Sequence, residues 1–261
     1  MKRMWRIGLV ALAAFAVTGI TAASASAELP EYMICKKTSK GGHYTSSLCT
    51  DESKVETGGE YELEKGLSKK TTFSAKSGRS IMATPETTDK VECKNTTATG
   101  EFTGSKQLTD VVIKASGCEA GAAKCASSGL TAGHIMSNAL KGELGYIAGK
   151  GTSTPTVGLL LSQEASTYAT EFNCEGLEIR TKGPLIGEAT GNINAISPEA
   201  AYTFRQSKGV QQYTSFEGGG MFEDEWRWEF NLGKGWEPEG GDPSGLELTA
   251  NSSQGMFEIK A

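Results

Sequence analysis

The chain is short of the residues that most catalytic and metal centres need. Among 261 residues there are two histidines, His43 and His134. A Ser–His–Asp arrangement needs an oriented imidazole, and His43 sits in a Gly-Gly-His-Tyr turn between two cysteines, a solvent-facing place. No Gly-x-Ser-x-Gly elbow, glycine-rich phosphate loop or dinucleotide fingerprint is present. No two cysteines have Cys-x-x-Cys spacing, so neither a metal nor another cofactor is expected, and no catalytic residue is assigned. Basic residues are scattered and outnumbered, 26 against 31 acids, which argues against nucleic acid as a partner. Beyond the first 27 residues no window keeps apolar residues at helical spacing over three turns. No second long apolar run follows, so no membrane span is expected there.

What the sequence does have begins at its start. Lys2, Arg3 and Arg6 precede an apolar run from Ile7 to Ile20, and a small, polar stretch then ends in Ala25-Ser26-Ala27. A positive end, an apolar middle and small residues at the −3 and −1 positions are read by signal peptidase, whose pockets there are shallow. As a helix the run is about 21 Å long, short of a hydrocarbon core of about 30 Å. Residues 1–27 therefore read as a signal peptide cleaved after Ala27, and the product as exported, extracellular or cell-wall associated. Removing Lys2, Arg3 and Arg6 leaves 23 basic residues against 31 acids, a net charge of −8.

All six cysteines, Cys35, Cys49, Cys93, Cys118, Cys125 and Cys174, follow the signal. An even number in an exported chain reads as three disulfides. Cys35–Cys49 closes an N-terminal loop. Cys118–Cys125 staples a small loop and leaves Cys93–Cys174 as a long-range bridge; the rival pairing is Cys93–Cys118 with Cys125–Cys174.

Short alternating runs between glycine turns recur along the chain, as in Lys90–Cys93, Asp110–Lys114, Tyr168–Cys174, Leu177–Arg180, Ala201–Arg205 and Met256–Ile259. Period-two alternation sends neighbouring side chains to opposite faces of a strand. More than a dozen such runs predict an all-β sandwich or barrel. The Lys-, Ser- and Thr-rich stretch 66–78 suggests a boundary: a small cysteine-bridged segment and linker over 28–78, then a main β domain over 79–261. Residues 149–156 read as a loop joining two strands.

The densest aromatic cluster is Trp226, Trp228 and Trp236, beside Glu223, Asp224 and Glu225. On a strand, Trp226 and Trp228 share a face. Exposed, that face would stack on sugar rings while the acids accept hydroxyls; buried, it would supply core area. Paired carboxylates also raise glycoside hydrolysis, without a specific signal for it.

Several short motifs occur in a telling order: Leu29-Pro30-Glu31-Tyr32 before Cys35, Gly42-His43-Tyr44-Thr45 before Cys49, then Gly59-Glu60-Tyr61-Glu62. After them come Val91-Glu92-Cys93, Gly117-Cys118-Glu119, Leu140–Ile147, Phe172-Asn173-Cys174, Gly183–Gly187 and Phe216–Gly219. In this set the chain resembles a family of uncharacterised exported proteins that occurs as many paralogues in some actinobacteria. The resemblance implies a secreted, β-rich, cysteine-bridged protein, and carries no functional residue with it. The stretch Asp224–Gly241 is richer in tryptophan than that pattern. The expectation is a non-catalytic exported protein acting by binding or structure; the alternative is a carbohydrate-binding module, with a glycan or cell-wall polymer as partner.

Overall fold

The computed structural model describes residues 30–261 except 57, 66–70, 85–89, 192, 218–225, 237–241 and 244, with the backbone alone for 40, 71 and 242–256. The segment 1–27, read from sequence as a signal peptide, lies outside the described residues. In chain order the strands are β1 (Glu31–Gly42), β2 (Gly59–Lys65), β3 (Thr71–Ser77), β4 (Ser80–Ala83), β5 (Lys90–Cys93), β6 (Asn95–Phe102), β7 (Gln107–Ser116), β8 (Glu119–Ala120), β9 (Ala123–Ala126), β10 (His134–Met136) and β11 (Leu140–Ala148). They continue with β12 (Thr156–Gln163), β13 (Thr170–Cys174), β14 (Leu177–Lys182), β15 (Leu185–Thr190), β16 (Ser197–Phe204), β17 (Gln206–Ser207), β18 (Val210–Gln211), β19 (Arg227–Asn231), β20 (Asp242–Pro243) and β21 (Gly245–Lys260). The all-β expectation holds: the described residues contain no helix, and loop 149–155 does join two strands.

Following the hydrogen bonds from strand to strand returns to the starting point. β21 pairs with β3, β3 with β6, β6 with β7, β7 with β11, β11 with β12, β12 with β15, β15 with β16, and β16 with β21 again, every pair antiparallel. This first ring is an eight-stranded barrel, and closure removes the open edges that invite aggregation. A second ring continues from it. β4 pairs with β5, β5 with β8, β8 with β9, β9 with β13, β13 with β14, and β14 with β19. β20 then pairs with β19, and the start of β21, residues 245–247, with β4.

The rings share walls because several strands run through both. Thr71 pairs with Phe102, Ser77 with Thr96, Ser80 with Cys93 and Ala83 with Lys90, one unbroken register along β3–β4 against β5–β6. A one-residue slip would turn every side chain to the wrong face, so this continuity also fixes which residues point inward.

Each ring has its own core. The first encloses Phe73, Phe102, Leu108, Leu144, Leu159, Tyr202 and Phe204, among twenty buried residues. The second encloses nine: Val91, Ile135, Phe172, Ile179, Trp228 and the four cysteines from Cys93 to Cys174. Met82 packs against both. Exposed wall positions of the first ring include Lys114, Lys141 and Glu143, so apolar inside and charged outside is the reverse of a barrel in lipid. No described helix is long and apolar enough to cross a membrane. Two wall glycines make room for core rings. A Cβ on Gly187 would stand 2.7 Å from Phe204, and one on Gly100 2.7 Å from Phe73, so these aromatics lie against bare backbone where the sheet curves.

Of the stretch 66–78, where a boundary is expected, 66–70 lie outside the described residues and Thr71–Ser77 form β3. β3 is a wall of the first ring, and β1 pairs with β21 as well as β2. Tyr32 in β1 is 1% exposed; it packs edge-on against Phe102 at 4.8 Å, and its hydroxyl meets that of Tyr202 at 2.7 Å. The apolar stretch Tyr32–Ile34 is thus used to close one end of the larger core. The Cys35–Cys49 bridge forms as expected, with a Cα–Cα distance of 5.7 Å.

The other two bridges are Cys93–Cys118 and Cys125–Cys174, the rival pairing. Register explains the correction. The offsets that pair β5 with β8, β8 with β9 and β9 with β13 place Cys93, Cys118, Cys125 and Cys174 side by side in one row. Cys125 N–H donates to the Cys118 carbonyl at 3.0 Å, but Cys118 N–H donates to the Gly133 carbonyl and Gly133 N–H to the Cys125 carbonyl, so Gly133 is interposed on one side of these two. The outer two pairs have Cα–Cα distances of 4.0 Å, the closer kind of cross-strand neighbour. Cys93 and Cys174 are separated by two strands, roughly 14 Å at ~4.8 Å per spacing, and cannot bond.

Candidate functional site

β13, β14 and β19 form one flank of the second ring, and alternation divides their side chains. Thr181, Trp228, Ile179 and Phe172 are buried on the inner side. On the outer side Glu171, Arg180 and Glu229 lie in one row, and Asn173, Glu178 and Asn231 in the next. Opposite charges directly across strands stabilise a sheet, and here they do more than pair. Arg180 Nε donates to Glu229 Oε2 at 2.6 Å, and Lys182 Nζ contacts the other carboxylate oxygen. The Glu229 side chain is 5% exposed. Burial pushes its carboxyl up, but the hydrogen bonds from Lys182 and Arg180 outweigh that and hold it below its ordinary value.

The guanidinium of Arg180 is bracketed by two rings, 4.1 Å from the centre of Tyr168 and 3.9 Å from that of Trp236. A planar cation between aromatic faces is a stable cation–π arrangement. The Trp236 ring is delivered there by Asn231. Its side-chain oxygen accepts from Gly233 N–H at 2.8 Å and from Gly235 N–H at 3.0 Å, and its amide nitrogen donates to Glu178 at 2.9 Å. Gly233 and Gly235 have φ of 84° and 104°, conformations that side-chain-bearing residues avoid. Trp236 and Tyr168 both stay partly exposed, with Glu171, Asn173 and Glu178 exposed around them.

The tryptophans singled out by sequence thus separate. Trp226 and Trp228 do share a face, but it points inward: they are 6% and 4% exposed, Trp226 in the core of the first ring and Trp228 in that of the second. An exposed sugar-stacking platform made of these two rings is therefore not present. The physical reason is that period-two alternation turns both rings to the inner side of the sheet, Trp226 against the apolar residues of one core and Trp228 against those of the other. The Trp228 ring nitrogen has no hydrogen-bond acceptor among the described residues. Glu223, Asp224 and Glu225 lie outside the described residues. Arg180, Tyr168 and Glu229 were not picked out as a unit from sequence; the cue was the alternation of charge across three strands, legible only with their register.

The histidines form local contacts. His43 Nδ1 lies 2.7 Å from Glu62, whose hydrogen bond raises the imidazole pKa, and His134 Nδ1 lies 3.0 Å from Thr131. Both are exposed. Among the described residues no three His, Cys, Asp or Glu side chains converge as metal ligands.

The outer face can hold a ring-shaped polar molecule: aromatic surface for the C–H side of a sugar, carboxylates and an amide for its hydroxyls, and an ion-paired base that fixes the rings. Compared with protein-family models, curated proteins and solved structures, the chain matches none.

Proposed function

We propose that the protein is an exported, non-catalytic member of the actinobacterial family it resembles, and that it binds a glycan or cell-wall polymer on the outer face of β13, β14 and β19. The observation that carries the binding reading is the Tyr168–Arg180–Trp236 stack, partly exposed and locked from behind by a buried carboxylate. Rigid aromatics cost little conformational entropy on binding. Export is supported by the three disulfides, which persist in oxidising compartments, and by the N-terminal pattern ending at Ala27.

The test is retention on insoluble peptidoglycan, cellulose and chitin. The wild-type chain is expected on at least one of them, and the Trp236→Ala and Tyr168→Ala variants are expected in the supernatant with unchanged circular dichroism. Equal retention of both variants, or no retention of the wild type, refutes the site. Amino-terminal sequencing of the exported product should begin at Glu28; a start at Met1 would overturn the cleavage reading.

A further inference from the structure

On the other flank of the second ring, the outer faces of β4, β5 and β8 carry a groove of about 420 Å³ lined by Arg79, Lys90, Glu92, Lys94 and Glu119 over Gly117 and Gly121. Its construction follows from register. Lys90, Glu92 and Lys94 are the outward residues of an alternating run whose inward members, Val91 and Cys93, are 1% and 2% exposed. The alignment that pairs Ser80 with Cys93 and Ser77 with Thr96 sets Arg79 opposite Lys94. Glu92 pairs with Glu119, and Glu119 with Lys124. Four cations, Arg79, Lys90, Lys94 and Lys124, therefore surround two carboxylates, in a chain whose net charge is −5.

The charges are spent only in part. Glu92 takes both Arg79, at 2.8 Å, and Lys90. Lys94 has no ion-pair partner among the described residues, and it leans over Gly117, where a Cβ would stand 3.0 Å from its side chain. The floor is open for a physical reason: Gly117 and Gly121 have φ of 66° and 61°, and a Cβ at Gly121 would meet nothing within 4 Å. Beneath it the Cys93–Cys118 bridge joins β5 to the start of β8, so the cations stand on a cross-linked base. The groove's size is that of a small-ligand site.

We propose that this groove binds a compact oxyanion carried on a small molecule, with Lys94 and Arg79 as its principal contacts and Lys90 released from Glu92 to join them. Phosphate and carboxylate share the chemistry. Arg79 meets either through a planar fork, and Lys94 as a point charge. The site is separate from the Trp236 face, so loss of glycan binding leaves this proposal untouched.

Calorimetric titration of the full exported chain at low ionic strength, with inorganic phosphate in one arm and galacturonate in the other, tests it. Saturable one-site binding of either probe is expected, and which arm responds identifies the anion's source. Lys94→Gln should weaken binding about tenfold with circular dichroism unchanged, Arg79→Gln should do likewise, and added salt should weaken the wild type. No saturable binding in either arm, or binding equal in the Lys94→Gln/Arg79→Gln double variant, overturns the proposal.

Discussion

The two rings solve the same closure problem with different means. In the first, β3, β6, β7, β11, β12, β15 and β16 run six to ten residues each. In the second, β4, β5, β8, β9, β13, β14 and β19 run two to six. Longer strands enclose a core large enough to hold the ring by apolar burial. The shorter ones enclose nine residues, four of them half-cystines, and covalent links substitute for the missing area, as in small secreted folds. The difference also sorts function: both candidate binding surfaces lie on the outside of the stapled ring, where a small core leaves the walls to be organised by charge.

The strongest way to break this comparison is to remove the staples. Replacing Cys93, Cys118, Cys125 and Cys174 by alanine forfeits, on chain-entropy grounds, about 3.5 kcal/mol for the first bridge and about 4 for the second. Amide hydrogen exchange should then show β8, β9, β13 and β14 unprotected while β11, β12 and β15 stay protected. Simultaneous loss in both sets would show that the shared walls make the rings one cooperative unit. Next in size is a change confined to the first ring. Gly187→Ala drives a methyl into the Phe204 ring and should cost about 1–3 kcal/mol in urea denaturation, with the bridges still intact by thiol titration.

A smaller, pH-dependent effect belongs to Glu229. Because its folded-state pKa is depressed, its stabilisation is full above the ordinary carboxylate value of 4.5 and is lost as the pH falls through the lower folded value. Glu229→Gln should cost about 1–3 kcal/mol at pH 7, discounted for the partial exposure of Lys182, and should flatten the acid limb of the stability curve. An unchanged acid limb would place that sensitivity elsewhere. Trp236→Ala should be the mildest, about 1 kcal/mol or less for one cation–π contact, against about 3–5 for Trp228→Ala in the core. Equal costs would erase the distinction between the two tryptophans.

Much of the fold was legible because alternation is local. β5, β7, β13, β14 and β16 all fall on runs that the sequence marks by period two. The hidden part was non-local. Tyr32 looks like any apolar residue near a cysteine until Tyr202, 170 positions away, supplies its hydroxyl partner. The Trp226 and Trp228 alternation gave the shared face correctly but could not say which way it pointed, since an exposed and a buried aromatic pair have the same spacing. The two candidate surfaces depend on cross-strand rows, Arg180 with Glu229 and Arg79 with Lys94, that no single stretch of sequence contains.

The row of four cysteines has a consequence for how the chain is oxidised. Cys118 and Cys125 lie seven positions apart, whereas the native partners are separated by 25 and 49. Short loops close at the lowest entropic cost, so the first bond to form during oxidation is the non-native Cys118–Cys125. It is a productive error. Both of its sulfurs sit beside their true partners once the hairpin pairs, and Cys93 or Cys174 can attack by thiolate exchange without any strand leaving its register. Each exchange makes one native bridge and releases the other cysteine of the pair as a thiolate, which a second oxidation by the thiol oxidant of the compartment joins to its neighbour in the row. A quench of early oxidation should trap the seven-residue loop before either native bridge.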